Sequence, residues 1–268
     1  MMLGVRTGAW AKNGSPTPAA YGGLRFTAEA DNSSVQLTAV GSAPAVTLVK
    51  SFDGVNWEAY AVGEVIELPS VGDFVYLAAG EGGNETFGSS LSSYHKFVIN
   101  GLVAASGDIT SIRRFDLEQT TLAKYCYYYM FRDCTGLTGA PELPAKTLAT
   151  NCYRNMFYGC TGLTNAPELP ATTLANYCYA SMFGGCTGLT SAPELPATTL
   201  KTQCYAYMFE GCKNISIIKI HFTVWDLSAL DGWVIGVASI GTFYKPTALP
   251  EEYGTSKIPT GWAVVNIG

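Results

Sequence analysis

The chain has 268 residues, of which 48% are hydrophobic, 12% aromatic and 14% charged, and its formal net charge is −5. This acidic balance argues against a nucleic-acid partner, because nucleic-acid-binding proteins normally present a basic face. No run of about 18 apolar residues occurs, so the sequence predicts no membrane span.

Residues 1–20 contain Gly, Ser and Pro in a pattern that predicts an arm or linker. They lack an apolar core of about 7–15 residues behind a basic start, so no secretory signal peptide is predicted. If the protein acts outside the cell, we expect that an export signal has been removed or that the protein leaves the cell another way.

Residues 21–112 consist of short β-rich runs separated by turns. The runs are LRFTAEA, SVQLTAV, AVTLVKS, NWEAY, EVIELP, DFVYLAA and HKFVING. Runs at spacings of about 8–12 residues predict a small β-sandwich. Residues 80–93 form the longest irregular stretch of this region, and long loops on rigid scaffolds are where binding sites usually lie.

Four blocks of 26 residues follow, and their period is marked by cysteines. One set is Cys126, Cys152, Cys178 and Cys204, and the other is Cys134, Cys160, Cys186 and Cys212. Self-similarity at a period of about 20–50 residues indicates repeats that stack and bury a shared core. About three such repeats are the minimum for stability.

Comparison of the blocks predicts a short helix in each one. The positions that vary fall at i, i+3, i+4 and i+7, which is one stripe of a 3.6-residue helix. In the third block these are Tyr177, Ala180, Ser181 and Gly184. We predict a helix over residues 174–183, with Gly185 as its left-handed C-cap. Two prolines in the neighbouring stretch limit the accompanying strand to a short one.

The runs CYRNMFYGCTGLTNAPELPATTL and CYASMFGGCTGLTSAPELPATTL resemble the BspA-like leucine-rich repeats of bacterial surface proteins and phage virion proteins. The closing stretch GTFYKP…IPTGWAVVNIG also resembles the end of such arrays. The resemblance covers residues 117–268 and implies a curved solenoid used for adhesion or receptor recognition without catalysis. It implies no particular binding residues, because the family shares no universal set.

The predicted fold class is α+β: an N-terminal all-β sandwich, a leucine-rich-repeat solenoid with a short strand and a short helix in each 26-residue repeat, and a C-terminal cap. The predicted domains are an arm over 1–20, the sandwich over 21–112, the solenoid over 113–220 and the cap over 221–268. Within the cap, TVWDLSALDGWVIGVA is predicted to be an amphipathic helix, and TFYKP and WAVVNIG to be the final strands. Terminal units of a solenoid need an atypical cap to seal the last apolar face.

The sequence contains none of the common catalytic motifs that were considered. His95 and His221 lie in no nucleophile motif, and no phosphate-binding loop or zinc-protease motif occurs. We predict no enzyme activity, no metal and no cofactor. The cysteines are interpreted as buried thiols, with some disulfides or a metal site as the alternatives. The column Glu142, Glu168 and Glu194 is interpreted as solvated, with calcium or a basic partner patch as the alternatives.

The tyrosines are the better signal for interaction. One per block recurs beside a cysteine, which favours a structural ladder; these are Tyr127, Tyr153, Tyr179 and Tyr205. Others, with two arginines, lie at variable positions and are the candidate binding residues: Tyr125, Tyr128, Tyr129, Arg132, Arg154, Tyr158, Tyr177 and Tyr207. Exposed tyrosines offer a large, rigid contact area with a hydrogen-bonding tip.

We therefore hypothesise a non-enzymatic adhesion or receptor-binding protein whose partner is a cell-surface glycan or protein. The absent signal peptide favours a phage virion component (tail fibre, tail or head decoration) over a secreted or surface adhesin of a gut-type bacterium. The N-terminal region would attach to other virion or surface proteins, and a homo-oligomer is possible. Removing residues 1–112 is then expected to abolish attachment and to leave receptor binding. A purely structural assembly module is the alternative.

Overall fold

The computed structural model describes residues 23–113 and 122–268, so the predicted arm lies outside the described residues. The strands are β1 (Leu24–Ala28), β2 (Ser33–Val40), β3 (Leu48–Ser51), β4 (Glu58–Tyr60), β5 (Val65–Leu68), β6 (Phe74–Ala79), β7 (Gly88–Ser90), β8 (Ser93–Asn100), β9 (Val103–Ser106), β10 (Leu137–Gly139), β11 (Ile217–Lys219), β12 (Thr242–Pro246) and β13 (Ala263–Ile267). One turn of 3-10 helix covers Ile109–Ile112.

Two sheets pack against each other in the N-terminal region. Their strand orders are β10-β9-β1-β6-β3-β4 and β5-β2-β8-β7. Buried residues alternate with half-buried ones along β1, which turns one side of that strand inward. Phe26 of β1 and Phe97 of β8 meet between the sheets, with ring centroids 4.8 Å apart. We refer to residues 23–112 as the N-terminal sheets.

The predicted α+β class, with a helix in each repeat of a leucine-rich-repeat solenoid, is wrong. The structure is only 2% helical and 29% strand. Residues 123–134 form overlapping turns instead, in which the amide of Tyr128 donates to the carbonyl of Tyr125 at 3.1 Å. The amide of Tyr127 donates to Cys152 of the next repeat at 2.8 Å. An α-helix would use its amides internally, whereas here alternate amides bond to the next repeat. We call the four 26-residue blocks the first to fourth coils, in chain order.

Left-handed backbone at every fourth residue explains why a helix cannot form. The φ angle is 57° at Tyr125, 60° at Tyr129 and 61° at Asp133. The equivalent residues of the next coils are Asn151, Asn155 and Gly159, then Tyr177, Ser181 and Gly185, then Gln203, Tyr207 and Gly211. Gly185 therefore belongs to this series and does not cap a helix. The variable positions that resembled one stripe of a helix recur about every four residues because the turns repeat every four residues.

Two columns of aromatic rings fill the interior of the coils. The tyrosine column is Tyr127, Tyr153, Tyr179 and Tyr205, with neighbouring centroids 5.7–5.9 Å apart. The phenylalanine column is Phe131, Phe157, Phe183 and Phe209, with neighbouring centroids 5.4–6.0 Å apart. All these rings are buried. Each coil thus contributes one ring to each column, and no coil can bury its rings alone.

The N-terminal sheets continue both columns. Phe97 stacks on Phe131 at 5.1 Å, and its amide donates to the carbonyl of Met130 at 2.7 Å. The Sγ of Cys134 donates to the carbonyl of Phe97 at 3.2 Å, just as the Sγ of Cys160 donates to Phe131 at 3.0 Å. Phe97 therefore occupies the position that a preceding coil would supply, and the N-terminal sheets share one core with the coils.

The irregular stretch over residues 80–93, singled out as a place where binding sites usually lie, is anchored at Asn84 and Phe87. Asn84 is 6% exposed, and its side chain bonds to the backbone of Thr47 and Ile112. Phe87 stacks on Tyr127 at 6.3 Å, at the end of the tyrosine column. This stretch supports the first coil.

The C-terminal region covers the fourth coil, and it does so without the predicted amphipathic helix. The amide of Phe209 donates to the carbonyl of Trp233 at 2.9 Å, and the two rings lie 6.2 Å apart. Trp233 is fully buried, and its indole nitrogen donates to the carbonyl of Lys257. The sequences TFYKP and AVVNI form β12 and β13, which continue the parallel sheet begun by β11.

Candidate functional site

The predicted binding residues lie on successive coils, and coil stacking brings seven of them together. Tyr125, Tyr128, Tyr129 and Arg132 are on the first coil, Arg154 and Tyr158 on the second, Tyr177 on the third and Tyr207 on the fourth. They occupy outward positions of the turns, and they do not form the predicted stripe of a helix. The eighth, Tyr207, lies apart: its hydroxyl donates to Asp231 at 2.7 Å, and its ring lies where a Cβ on Gly232 would clash.

Stacked tyrosines form the centre of the site. The rings of Tyr128 and Tyr129 lie 3.9 Å apart with 22° between their planes. Tyr125 meets Tyr128 edge to face at 5.9 Å. Tyr94 of β8 meets the same pair edge to face, at 5.4 Å from Tyr128 and 5.0 Å from Tyr129. We name the surface formed by Tyr94 and the seven clustered residues the tyrosine–arginine face.

Tyr94 was missed by sequence reasoning, because it lies some thirty residues before the first coil. It alternates with buried residues on β8 and shares none of the repeat pattern. Only the packing of β8 against the first coil places it here. Burial raises the pKa of Tyr94, and the neighbouring Tyr129 adds to the effect.

Tyr128 is buried, contrary to the expectation of an exposed stripe. It is 3% exposed, whereas Tyr125, Tyr129, Tyr158 and Tyr177 are half-buried. Burial raises the pKa of Tyr128, and its hydrogen bond to Tyr129 raises it further. Tyr128 therefore stays neutral, and the rings of Tyr94, Tyr125 and Tyr129 pack against it.

Two arginines lie over tyrosine rings of this face. The guanidinium carbon of Arg132 is 4.4 Å from the centroid of Tyr129 and 5.1 Å from that of Tyr158. The guanidinium of Arg154 lies 5.3 Å from the centroid of Tyr177. Such cation–π contacts stabilise by about 0.5–1 kcal/mol each at exposed sites. The face is therefore a preformed aromatic surface that carries two positive charges.

A glycine makes room for part of this face. A Cβ on Gly184 would lie 2.8 Å from ring atoms of Tyr158, so the ring rests directly on the backbone of the third coil. Tyr158 is thereby fixed between Gly184 and Arg132. The glycine at this position in the third coil leaves the space that the large residue of the second coil occupies.

The two histidines, and Glu194 of the glutamate column, have local partners. His95 is buried with Nδ1 3.1 Å from the carbonyl of Phe87, and burial lowers its pKa. Glu194 bonds to Lys219 at 3.0 Å and to His221 at 2.5 Å. The bond to Lys219, and then the one to His221, lowers the pKa of Glu194. Within the described ranges, no three His, Cys, Asp or Glu side chains are grouped to hold a metal ion.

All eight cysteines are free and buried. Burial raises the pKa of Cys134 and of Cys212 to about 12. The thiol of Cys186 donates to the carbonyl of Phe157 at 3.0 Å, and that of Cys212 to Phe183 at 2.9 Å. These thiols therefore link coils through hydrogen bonds.

We expect none of the eight thiols to react with an aromatic disulfide reagent in the native protein at pH 8. The thiolate is the reactive species, and burial keeps the thiols protonated at pH values well below their raised pKa. All eight should react after unfolding in guanidinium without reductant. Rapid reaction of the native protein, or fewer than eight thiols after unfolding, would contradict the free, buried state.

Comparison with family models, curated proteins and solved structures finds no match for this chain. The resemblance to BspA-like repeats therefore stays a prediction. In the part of the chain that the structure describes, no helix has the length and apolar character needed to cross a bilayer.

Proposed function

We propose that this protein is a non-enzymatic recognition protein that binds a cell-surface glycan or protein through its tyrosine–arginine face. The observation that carries the proposal is the position of Arg132 over the rings of Tyr129 and Tyr158. Its side chain is 33% exposed, so the cation is oriented and still accessible. Tyrosine and arginine are among the residue types that most often dominate binding energy at interfaces.

The rigidity of this face supports the same proposal. Each coil is bonded to the next through its backbone, as in the Tyr129–Arg154 hydrogen bond at 3.2 Å. The rings above are held by one another and by Gly184. A surface that is ordered before binding loses little conformational entropy when a partner arrives.

We propose that the protein is carried on a phage particle, as a tail fibre, tail or head-decoration component, with a bacterial cell surface as the alternative. An antibody raised against the full chain distinguishes the two. Labelling of purified particles supports a virion component, and labelling of a bacterial envelope fraction supports an adhesin. Point variants of the full chain are the better binding test, because removing residues 1–112 would expose the first coil's core.

We expect the Tyr129→Ser variant to bind host cells about tenfold or more weakly than the unchanged protein, because a central interface tyrosine commonly contributes about 2 kcal/mol. Labelled protein titrated onto a panel of bacterial strains measures this. Tyr253→Ser is the matched control, since Tyr253 is 48% exposed and lies outside this face.

A purely structural module is the second candidate, because Tyr128 is buried and Tyr158 covers the backbone at Gly184. The same variants separate the two functions. Unchanged cell binding by Tyr129→Ser, together with a changed oligomeric state in analytical ultracentrifugation, would favour the structural module.

A further inference from the structure

We propose that two copies of this chain associate through β13, which pairs antiparallel with the β13 of the second copy about a two-fold axis at Val265. The interaction surface is the edge of β13 that faces away from β12. The association does not depend on the proposed function, because β13 and the tyrosine–arginine face share no residue. A dimer of this kind carries two such faces, one on each copy.

The backbone of β13 directs polar groups away from its own sheet. β13 is the end strand of the parallel sheet β11-β12-β13. The amide of Ala263 donates to the carbonyl of Gly241 at 2.9 Å, so Ala263 is one of the residues that face β12. Because successive residues of a strand alternate in direction, Val264 and Asn266 point their amides and carbonyls the other way. Among the described strands none lies on that side, and such an edge is a template for a further strand.

The other edge strands are charged or very short. The strands β4 and β5 carry exposed Glu58 and Glu67, and β11 carries Lys219. The strands β7 and β10 have three residues each. By contrast, β13 has five residues and contains neither a charged residue nor proline. Soluble proteins protect their edge strands through shortness, charge or proline, so β13 is left open to pairing.

The backbone of β13 is complementary to itself. When Val265 lies opposite Val265 of the second copy, Val264 of each copy lies opposite Asn266 of the other. Residues whose amides and carbonyls both point outward exchange two hydrogen bonds when they lie opposite each other. The two Val264–Asn266 pairs therefore form four hydrogen bonds between the copies. A two-fold interface requires such self-complementarity, which a second copy has and a strand of another protein would have to supply.

The side chains on one face of β13 fit the same register. Ala263, Val265 and Ile267 share this face because they alternate with the residues between them. Val265, which is 39% exposed, meets Val265 of the second copy in a non-hydrogen-bonded pair, where side chains lie closest. Ala263 lies opposite Ile267 of the second copy. The pairing removes apolar surface from water and brings no like charges together.

Sedimentation equilibrium of the full chain, over about a hundredfold range of concentration, measures the association. Two five-residue strands make a small interface beside the about 1,600 Å² of a standard complex, so we expect a dimer that dissociates on dilution. Val265→Lys should weaken it about fivefold or more, because two like charges then lie directly opposite each other. An equimolar mixture of Val265→Lys and Val265→Asp should associate more tightly than either variant alone.

The matched control is Val65→Lys, since Val65 is also an exposed valine on an edge strand, at 46% exposure on β5. It should leave the dissociation constant of the dimer unchanged. Equal thermal midpoints for Val65→Lys and Val265→Lys at low protein concentration will show that both variants fold.

A cysteine substitution tests the register itself. Val265→Cys should give a disulfide-linked dimer under mild oxidation, because opposite residues in such a pair have Cα atoms about 4.5 Å apart, which a disulfide can span. Ala263→Cys is the control on the same face. The two new thiols then lie four residues apart along the paired strands, about 13 Å, which is too far for a disulfide. The eight native cysteines are buried and do not compete.

Several results would overturn the inference. A chain that stays monomeric throughout, or a dimer that Val265→Lys leaves unchanged, would show that β13 does not join two copies. Equal cross-linking of Ala263→Cys and Val265→Cys would exclude the symmetric register, and association beyond the dimer would exclude a closed two-fold. If the chain is monomeric and Val265→Lys abolishes its attachment to particles or envelopes, β13 binds a strand of another protein. None of these results bears on the tyrosine–arginine face, which Tyr129→Ser tests separately.

Discussion

Replacing Phe157 with alanine is expected to lower the free energy of unfolding by about 3–5 kcal/mol, the usual range for removing a buried phenylalanine. Phe157 is fully buried, and its ring lies 5.4 Å from Phe131 and 5.7 Å from Phe183. Its loss leaves a cavity that faces both neighbouring coils, and their hydrogen-bonded backbones hold the coils too far apart to fill it. Unfolding in guanidinium, followed by circular dichroism, measures the change.

The control for Phe157→Ala is Thr161→Ala in the same coil. Thr161 is exposed, so its replacement should change the free energy of unfolding by less than about 0.5 kcal/mol. Phe157→Leu, which keeps much of the volume, should fall between the two variants. A loss below about 1 kcal/mol for Phe157→Ala would contradict the continuous ring column.

Removing residues 1–112 is expected to leave the coils unable to fold as a cooperative unit. The deletion takes away Phe97 and Phe87, which stack on the first rings of the two columns. It also takes away the amide of Phe97 that pairs with Met130. The buried rings of Phe131 and Tyr127 would then face water, and an exposed apolar end of this kind promotes aggregation. Size-exclusion chromatography and thermal unfolding of the fragment test this.

A substitution in the full chain checks the same point without a new terminus. Phe97→Ala should destabilise by about 3–5 kcal/mol, and the chain should still unfold in one transition because one core joins the sheets to the coils. Val65→Ala is the matched control, since Val65 is 46% exposed on β5. A soluble fragment with the same midpoint as the intact chain would show that the two regions are independent.

The candidate site shows which features the repeat pattern predicts and which it does not. Comparison of the blocks identified the outward positions that include Tyr129 and Arg132, because inward positions cannot vary when every coil must fit the same column. It did not reveal that Tyr128 is buried by Tyr94 from another strand. Nor did it reveal that Asp231 binds Tyr207. Contacts between segments that are distant in the sequence do not affect the repeat period, so the period cannot predict them.

Three features follow from the sequence alone: the 26-residue period, the buried cysteines with the tyrosine ladder, and the need for a cap at each end. They follow because stacked copies must place identical residues in register. The local conformation does not follow, since a spacing of four fits both a helical stripe and a series of turns. Tertiary structure decides between them. The left-handed residues, such as Asn151 and Asn155, turn alternate amides towards the next coil, and those amides are satisfied only when the neighbour is present.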